Sequence, residues 1–271
     1  GLRPGEVVAL GGEWGSGKST VALAAMGLLD AKTARVAGRV ELARKQGGRT
    51  DLLSLPEREF RQVRGNDVAM IFQEPMMSLD PIYRIGDQIG EALAVHRAMT
   101  AAERAAEALR LLTILGVPSP DRTLERFPHE LSGGMRQRVM IAMAISCHPL
   151  LLIADEPTTA LDVTIQAQII DQLRLLQRQN GMAILFITHD LGLVADIADR
   201  VLVMYAGQIV ESGTVAEVFR APRMPYTAGL MRSRPKIGGR RSGAGRIAAI
   251  PGGAPNPSAL PSGCAFHPCC A

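Results

Sequence analysis

A short apolar run, Glu6 to Leu10, breaks into Gly12-Glu-Trp-Gly-Ser-Gly-Lys-Ser19 and passes at once into a helical stretch, Thr20 to Leu29. Glycines at 12, 15 and 17 carry no Cβ, so the backbone N–H groups of the loop can turn toward one concave face. Strand, glycine loop and helix in that order make a βα unit whose loop sits at the C-terminal end of the strand. The helix adds the partial positive charge of its N-terminus. Such a loop suits phosphate. Gly12, Gly15, Ser16, Gly17 and Thr20 are predicted to surround it, with Lys18 reaching the outer phosphates and Ser19 offering a hydroxyl to Mg²⁺.

Further continuous apolar runs at Val68 to Phe72, Leu150 to Ala154 and Ala183 to Thr188 read as buried strands, with helical stretches between them. Runs of this kind predict a parallel sheet covered on both faces. From about Gly86 to His148 no strand pattern occurs, whereas Ala101 to Leu115 and Ser132 to Ser146 have helical spacing, which predicts an inserted helical subdomain. Val163 to Gln179 and Leu191 to Ala198 supply two more helices, and Arg200 to Gly213 reads as a hairpin turning at Ala206-Gly207. Beyond Pro235 the chain is rich in Gly, Pro and Ser and is expected to be loosely ordered. The chain's 271 residues suffice for a substantial core with an inserted subdomain.

The run Leu150 to Ala154 ends in Asp155-Glu156, two carboxylates that can divide the work: Asp155 toward a metal shell, Glu156 to polarise water. By itself such a pair is more often a helix cap; beside a phosphate loop it becomes a catalytic candidate. Gln73 follows the run Val68 to Phe72, and His189 follows Ala183 to Thr188. Both are expected at the C-terminal sheet edge, where open parallel sheets bind ligands. Ser132-Gly133-Gly134 opens another helix with a hydroxyl and bare amides. It can be an ordinary N-cap or a second anion site, far in sequence from the first.

No apolar stretch approaches the roughly 20 residues that span a bilayer, and the first residues contain no secretory hydrophobic region. A cytoplasmic chain is expected. All 26 acidic residues lie at or before Glu217, while eight of the 30 basic ones fall between Arg220 and Arg246. A basic end on an acidic body can touch anionic lipid or nucleic acid; it is read here as a solvated extension, and against nucleic acid it lacks the interleaved aromatics of a stacking platform. Four cysteines, three of them crowded at Cys264, Cys269 and Cys270, do not form a secreted disulfide framework.

Taken together and in this order, the motifs resemble the ATP-binding subunit of an ABC transporter. In that resemblance Gly12 to Ser19 is the Walker A loop, Gln73 the Q-loop and Leu131 to Met135 the signature. Leu150 to Asp155 is Walker B, Glu156 the catalytic carboxylate, Ala160-Leu161-Asp162 the D-loop, and His189 the switch histidine. The implied fold is α/β, a P-loop NTPase with a RecA-like parallel sheet flanked by helices and an inserted ABC-type helical subdomain. The implied boundaries are a core of 1–85 and 149–234, a signature subdomain of 86–148, and a basic extension of 235–271. ATP and Mg²⁺ are the implied cofactors, the metal being met by Ser19, Gln73 and Asp155. Two subunits, alike or homologous, are implied to pair head to tail, so that Ser132, Gly133 and Gly134 of one meet ATP held by the other.

Ile71-Phe-Gln-Glu-Pro-Met-Met-Ser-Leu-Asp-Pro81, Leu131-Ser-Gly-Gly-Met-Arg-Gln-Arg138, Pro222-Arg-Met-Pro-Tyr-Thr227 and Gly263-Cys-Ala-Phe-His-Pro268 are similar to the oligopeptide, dipeptide and nickel importer branch. That similarity implies permease subunits, a second ATPase subunit, an extracytoplasmic solute-binding protein acting indirectly, no nucleic acid, and a peripheral place on the cytoplasmic face of the bacterial inner membrane. The chain departs from the pattern in three places. The family's N-terminal antiparallel strands with their adenine-stacking aromatic are missing, Trp14 stands where a small residue is usual, and the C-terminal cysteine run is short, so the chain reads as truncated at both ends. Trp14 either crowds the phosphates or contacts the nucleotide and is not assigned to adenine stacking. The three cysteines, two of them adjacent, make a poor set for one iron. The competing readings are a soluble ABC ATPase acting on DNA or ribosomes, which usually carries a long coiled coil or a second cassette, and a degenerate nucleotide-binding module, which would more often have lost Lys18, Asp155, Glu156, Ser132 or His189.

Overall fold

The computed structural model describes residues 1–74, 78–159, 161–233, 250, 252–253, 255–256 and 259–270. Its strands, in chain order, are β1 (Val7–Gly11), β2 (Glu41–Ala43), β3 (Arg49–Asp51), β4 (Val68–Ile71), β5 (Leu151–Asp155), β6 (Ala183–Thr188), β7 (Arg200–Tyr205) and β8 (Gln208–Thr214). They belong to two compact units, one of Gly1–Glu6 and Thr20–Phe186, the other of Val7–Ser19 and Ile187–Ala271.

In the first unit β4 and β5 pair in parallel, Val68 opposite Leu151 and Ile71 opposite Ala154. Every residue of β4 is buried, as a Val/Ile-rich strand covered on both faces requires. The N–H of Leu150 donates to the carbonyl of Asp67 at 2.9 Å, and the N–H of Ala183 to the carbonyl of Leu150 at 2.9 Å, which lays the start of β6 beside β5. The antiparallel pair β2–β3 turns through Gly47 and Gly48, both at positive φ.

The elements from Ile85 to Ile145 are all helical. Ile85–His96 buries Ile85, Ile89 and Leu93 along one stripe, and Ala101–Ile114 buries Ala108, Leu111 and Leu112. Each buried Ile or Leu is worth about 1.5–3 kcal/mol, so these stripes, more than propensity, hold the short helices in place. Thr100 and Glu103 close a capping box at the second helix. Gly133–Ile145 starts where expected, capped by Ser132, and Val163–Asn180 is capped by Asp162 and ended by Gly181 at φ 62°.

In the second unit β7 pairs in parallel with β1, Val8 opposite Arg200 and Gly11 opposite Val203. On its other side β7 pairs with β8, but antiparallel. The pairs β4–β5 and β1–β7 are parallel as expected, and the hairpin expected at Arg200 to Gly213 adds the antiparallel strand β8. Its turn has Ala206 at φ 46° and Gly207 at φ 80°, the paired left-handed residues of a tight hairpin.

The core of this unit gathers Val201, Val203 and Tyr205 of β7 with Leu191, Val194, Val218, Tyr226 and Phe266. Tyr205 lies 4.5 Å from Tyr226 and 5.4 Å from Phe266, ring centre to ring centre. The expectation of loose order after Pro235 fails for residues 259–270: Phe266 is 3% exposed, because an aromatic ring this close to two tyrosines gains more by burial than the Gly/Pro-rich chain around it loses. The same expectation for residues 234–249 lies outside the described residues, as do Pro75, Met76 and Met77 of the Gln73 segment and Ala160 of the predicted D-loop.

Candidate functional site

β1 delivers the chain into the glycine loop, and the helix Lys18–Ala25 leaves it, two residues earlier than its sequence suggested. The helix ends because Gly27 turns left-handed at φ 61°. Gly15 and Gly17 have φ of 76° and 99°, a region costly to residues with a Cβ. At Gly12 the reason is space: a Cβ there would fall on the carbonyl oxygen of Met204, which belongs to β7. The N–H of Gly207 in the hairpin turn donates to the carbonyl of Ser16 at 3.0 Å, fastening the loop from the same side.

Lys18 is buried, and its Nζ donates to the carbonyls of Gly12 at 3.0 Å and Glu13 at 2.8 Å. A buried ammonium is tolerable only with such partners, and here they hold it within the loop. Burial pushes the Glu13 carboxyl above its ordinary range, while the Lys18 ammonium pulls it the other way. Ser16 is buried, Ser19 half-buried and Thr20 exposed. A held ammonium, a glycine loop and a helix start together offer the chemistry that a polyanion requires. Trp14, in the middle of the loop, is 75% exposed.

In the other unit β5 ends on Asp155, with Glu156 just beyond it. Both carboxylates are buried. Glu156 has φ 46°, a left-handed conformation that costs a residue with a Cβ on the order of 1–3 kcal/mol and that clusters at functional sites. Thr159 donates its hydroxyl to Glu156 Oε2 at 2.8 Å, and the amide of Gln73 approaches the same oxygen at 3.4 Å. Gln73 stands one residue further from its strand than expected, since β4 stops at Ile71. It is nevertheless beside Glu156. The fixed carboxylate can accept a proton from a water in its reach.

His189 follows β6 directly, as expected, and is exposed; the next residue, Asp190, caps the helix Leu191–Ile197 by accepting the N–H of Gly192 at 2.6 Å. Ser132 and Gly133 are exposed, and Ser132 accepts the N–H of Met135 at 3.4 Å. Gly134 packs closely enough that a Cβ would sit 3.4 Å from Ile165. Three residues that the sequence reading did not single out join these groups. Thr159 fixes Glu156, and the amide of Gln137 donates to the carbonyl of Pro157. The third, Tyr226, is fully buried and receives the N–H of Glu13 on its hydroxyl oxygen at 2.8 Å. Thr159 had a signal in its three-residue spacing from a carboxylate; the other two lie in the motif segments Leu131–Arg138 and Pro222–Thr227, but they pair across 20 and 213 positions, which no local spacing indicates.

Residues 1–159 match the ABC transporter family and residues 210–271 the oligopeptide/dipeptide transporter C-terminal region. A putative peptide import ATP-binding protein of Brucella melitensis is 56% identical over 99% of this chain and 81% of its own length. A dipeptide transport ATP-binding protein of Haemophilus influenzae is 52% identical over 99% of this chain and 79% of its own. Among solved structures, a dimeric, post-hydrolysis ATP-binding cassette bound to ADP and Pi superposes with a TM-score of 0.67 at 26% identity, covering 79% of this chain and 88% of that one.

Proposed function

The chain belongs to the ABC transporter family, and from that premise we propose that it is the ATP-hydrolysing subunit of an importer for di- or oligopeptides or a similar small solute. The observation that carries the reading is the cradle after β1, where Gly12 admits no Cβ and Lys18 is held by loop carbonyls. The family match through the C-terminal region favours an importer over a DNA- or ribosome-acting ATPase. The intact Lys18, Asp155 and Glu156 speak against a degenerate module.

In this reading Gly12, Gly15, Ser16, Gly17, Lys18, Ser19 and Thr20 bind the phosphates, and Glu156, steadied by Thr159, takes the proton of the attacking water. Gln73 and His189 complete the catalytic set. Ser19, Gln73 and Asp155 offer hydroxyl, amide and carboxylate oxygens, the hard donors that Mg²⁺ prefers, and the ion would neutralise charge on the phosphates. Ser132, Gly133 and Gly134 serve the nucleotide of a second ATPase subunit, which the exposure of Ser132 and Gly133 permits. The proposed division is a core of 1–85 and 149–234, a signature subdomain of 86–148 and an extension of 235–271.

The proposed partners are permease subunits and a second ATPase, with an extracytoplasmic solute-binding protein engaged indirectly, at the inner membrane's cytoplasmic face. Among the described residues no helix is long and apolar enough to cross a membrane. The test is magnesium-dependent ATP hydrolysis by the purified chain at rising protein concentration. Activity climbing faster than linearly supports a dimeric ATPase; absence of both hydrolysis and nucleotide binding overturns the reading.

A further inference from the structure

The peptide between Gly12 and Glu13 is held at both ends. Its N–H, that of Glu13, donates to the hydroxyl oxygen of Tyr226 at 2.8 Å. Its carbonyl, that of Gly12, accepts from Lys18 Nζ at 3.0 Å. No described peptide bond is cis, and in a trans peptide the N–H and C=O point in opposite directions, so fixing one aims the other. The peptide is a rigid link between a phenol and the ammonium of the phosphate loop.

Tyr226 is itself immobilised. It is fully buried, its ring lies 4.5 Å from Tyr205 and 5.5 Å from Phe266, and its helix Pro225–Arg232 is anchored where Glu211 accepts the N–H groups of Arg223 at 2.7 Å and Met224 at 3.2 Å. Burial raises its pKa, so the hydroxyl stays neutral and keeps its acceptor role at any working pH.

We infer that Tyr226 is a positioning residue for nucleotide binding, acting through the Gly12–Glu13 peptide to set the direction of the carbonyl that holds Lys18. Gly12, with no Cβ and an unusual φ of 157°, resists rotation of this peptide less than any other residue would; the Tyr226 bond supplies the restraint that the glycine lacks. The inference rests on the reading of residues 12–19 as a phosphate loop.

The test is Tyr226→Phe in the full chain, which keeps the ring and removes the acceptor, compared with wild type and Lys18→Ala. Two quantities are read: MgADP affinity, and hydrogen exchange of the Glu13 amide against the amides of Arg200–Tyr205. Loss of one neutral hydrogen bond predicts MgADP affinity weakened about three- to tenfold, with faster exchange at Glu13 and unchanged protection in the strand. Wild-type affinity in Tyr226→Phe overturns the inference, and so does exchange that rises equally along Arg200–Tyr205, which would mark a packing role. If wild type and Lys18→Ala bind MgADP alike, the phosphate-loop reading falls and takes the inference with it.

Discussion

The side-chain amide of Gln137 donates to the backbone carbonyl of Pro157, both groups being buried. Gln137 rides on the helix that Ser132 caps, and Pro157 directly follows Glu156, so this one hydrogen bond ties the helix behind the Ser-Gly-Gly turn to the chain beside the left-handed Glu156. Replacing Gln137 by Leu keeps the bulk and leaves that carbonyl without its donor. An orphaned buried acceptor costs about 1–3 kcal/mol, and chemical denaturation should show a loss of that size. ATP hydrolysis should fall as well, since the peptide next to Glu156 loses its support.

Glu156→Gln keeps the shape of the side chain and its contact with Thr159 while removing the base. If Glu156 takes the proton of the attacking water, kcat drops by about 10²-fold or more, and nucleotide binding stays close to wild type. Steady-state hydrolysis alongside equilibrium MgADP titration separates the two. A variant that hydrolyses ATP at near wild-type rate would sink the assignment.

Folding stability should decline as the solution becomes mildly acidic. Burial chiefly, with Arg97, Arg110 and Lys45 nearby, holds the pKa of His148 below its ordinary value of 6.5, and Glu107 only partly offsets them. His96 is lowered too, by burial and then by Lys45. Below pH 6.5 the unfolded chain therefore takes up protons that the folded chain refuses, so stability rises with pH through this window and is lost on acidification. His148 sits at φ 50°, which Asn accepts readily, so His148→Asn is a clean test. Between about pH 7.5 and 5.5 its Tm should fall less than that of wild type, with His96 still contributing in the same direction.

Trp14 is the single tryptophan and is 75% exposed within the phosphate loop. Its fluorescence should be open to an aqueous quencher in the nucleotide-free protein and should change on adding MgADP. Trp14→Ala should shift stability by no more than about 0.5 kcal/mol, as for an ordinary surface side chain. A larger loss would mean that the indole packs where the structure leaves it open.

The parts of the fold that were readable in the sequence are those fixed by local chemistry. β6 runs over Ala183–Thr188 as its apolar run indicated, the hairpin turns at Ala206-Gly207, and Ser132 caps its helix. The β2–β3 pair escaped notice because strands of three residues, Glu-Leu-Ala and Arg-Thr-Asp, carry too little periodicity to register. The helix Ile85–His96 did carry a signal, in the spacing of Ile85, Ile89 and Leu93, but the glycines at 86 and 90 diluted it. In the candidate site the residue types announced themselves, whereas the hydrogen bonds of Gln137 and Tyr226 arise only once distant segments pack. Nor does any local pattern foretell the left-handed backbone of Glu156, which tertiary packing imposes against the preference of the residue.

Phe266, near the end of the chain, packs 5.5 Å from Tyr226, whose hydroxyl meets the loop at Glu13. Glu13 and Phe266 are remote in sequence and meet only through the ring and hydroxyl of Tyr226. A substitution that unseats Phe266 therefore acts on the glycine loop at a distance, by loosening the ring whose oxygen receives the Glu13 amide, and leaves every residue of the loop itself in place.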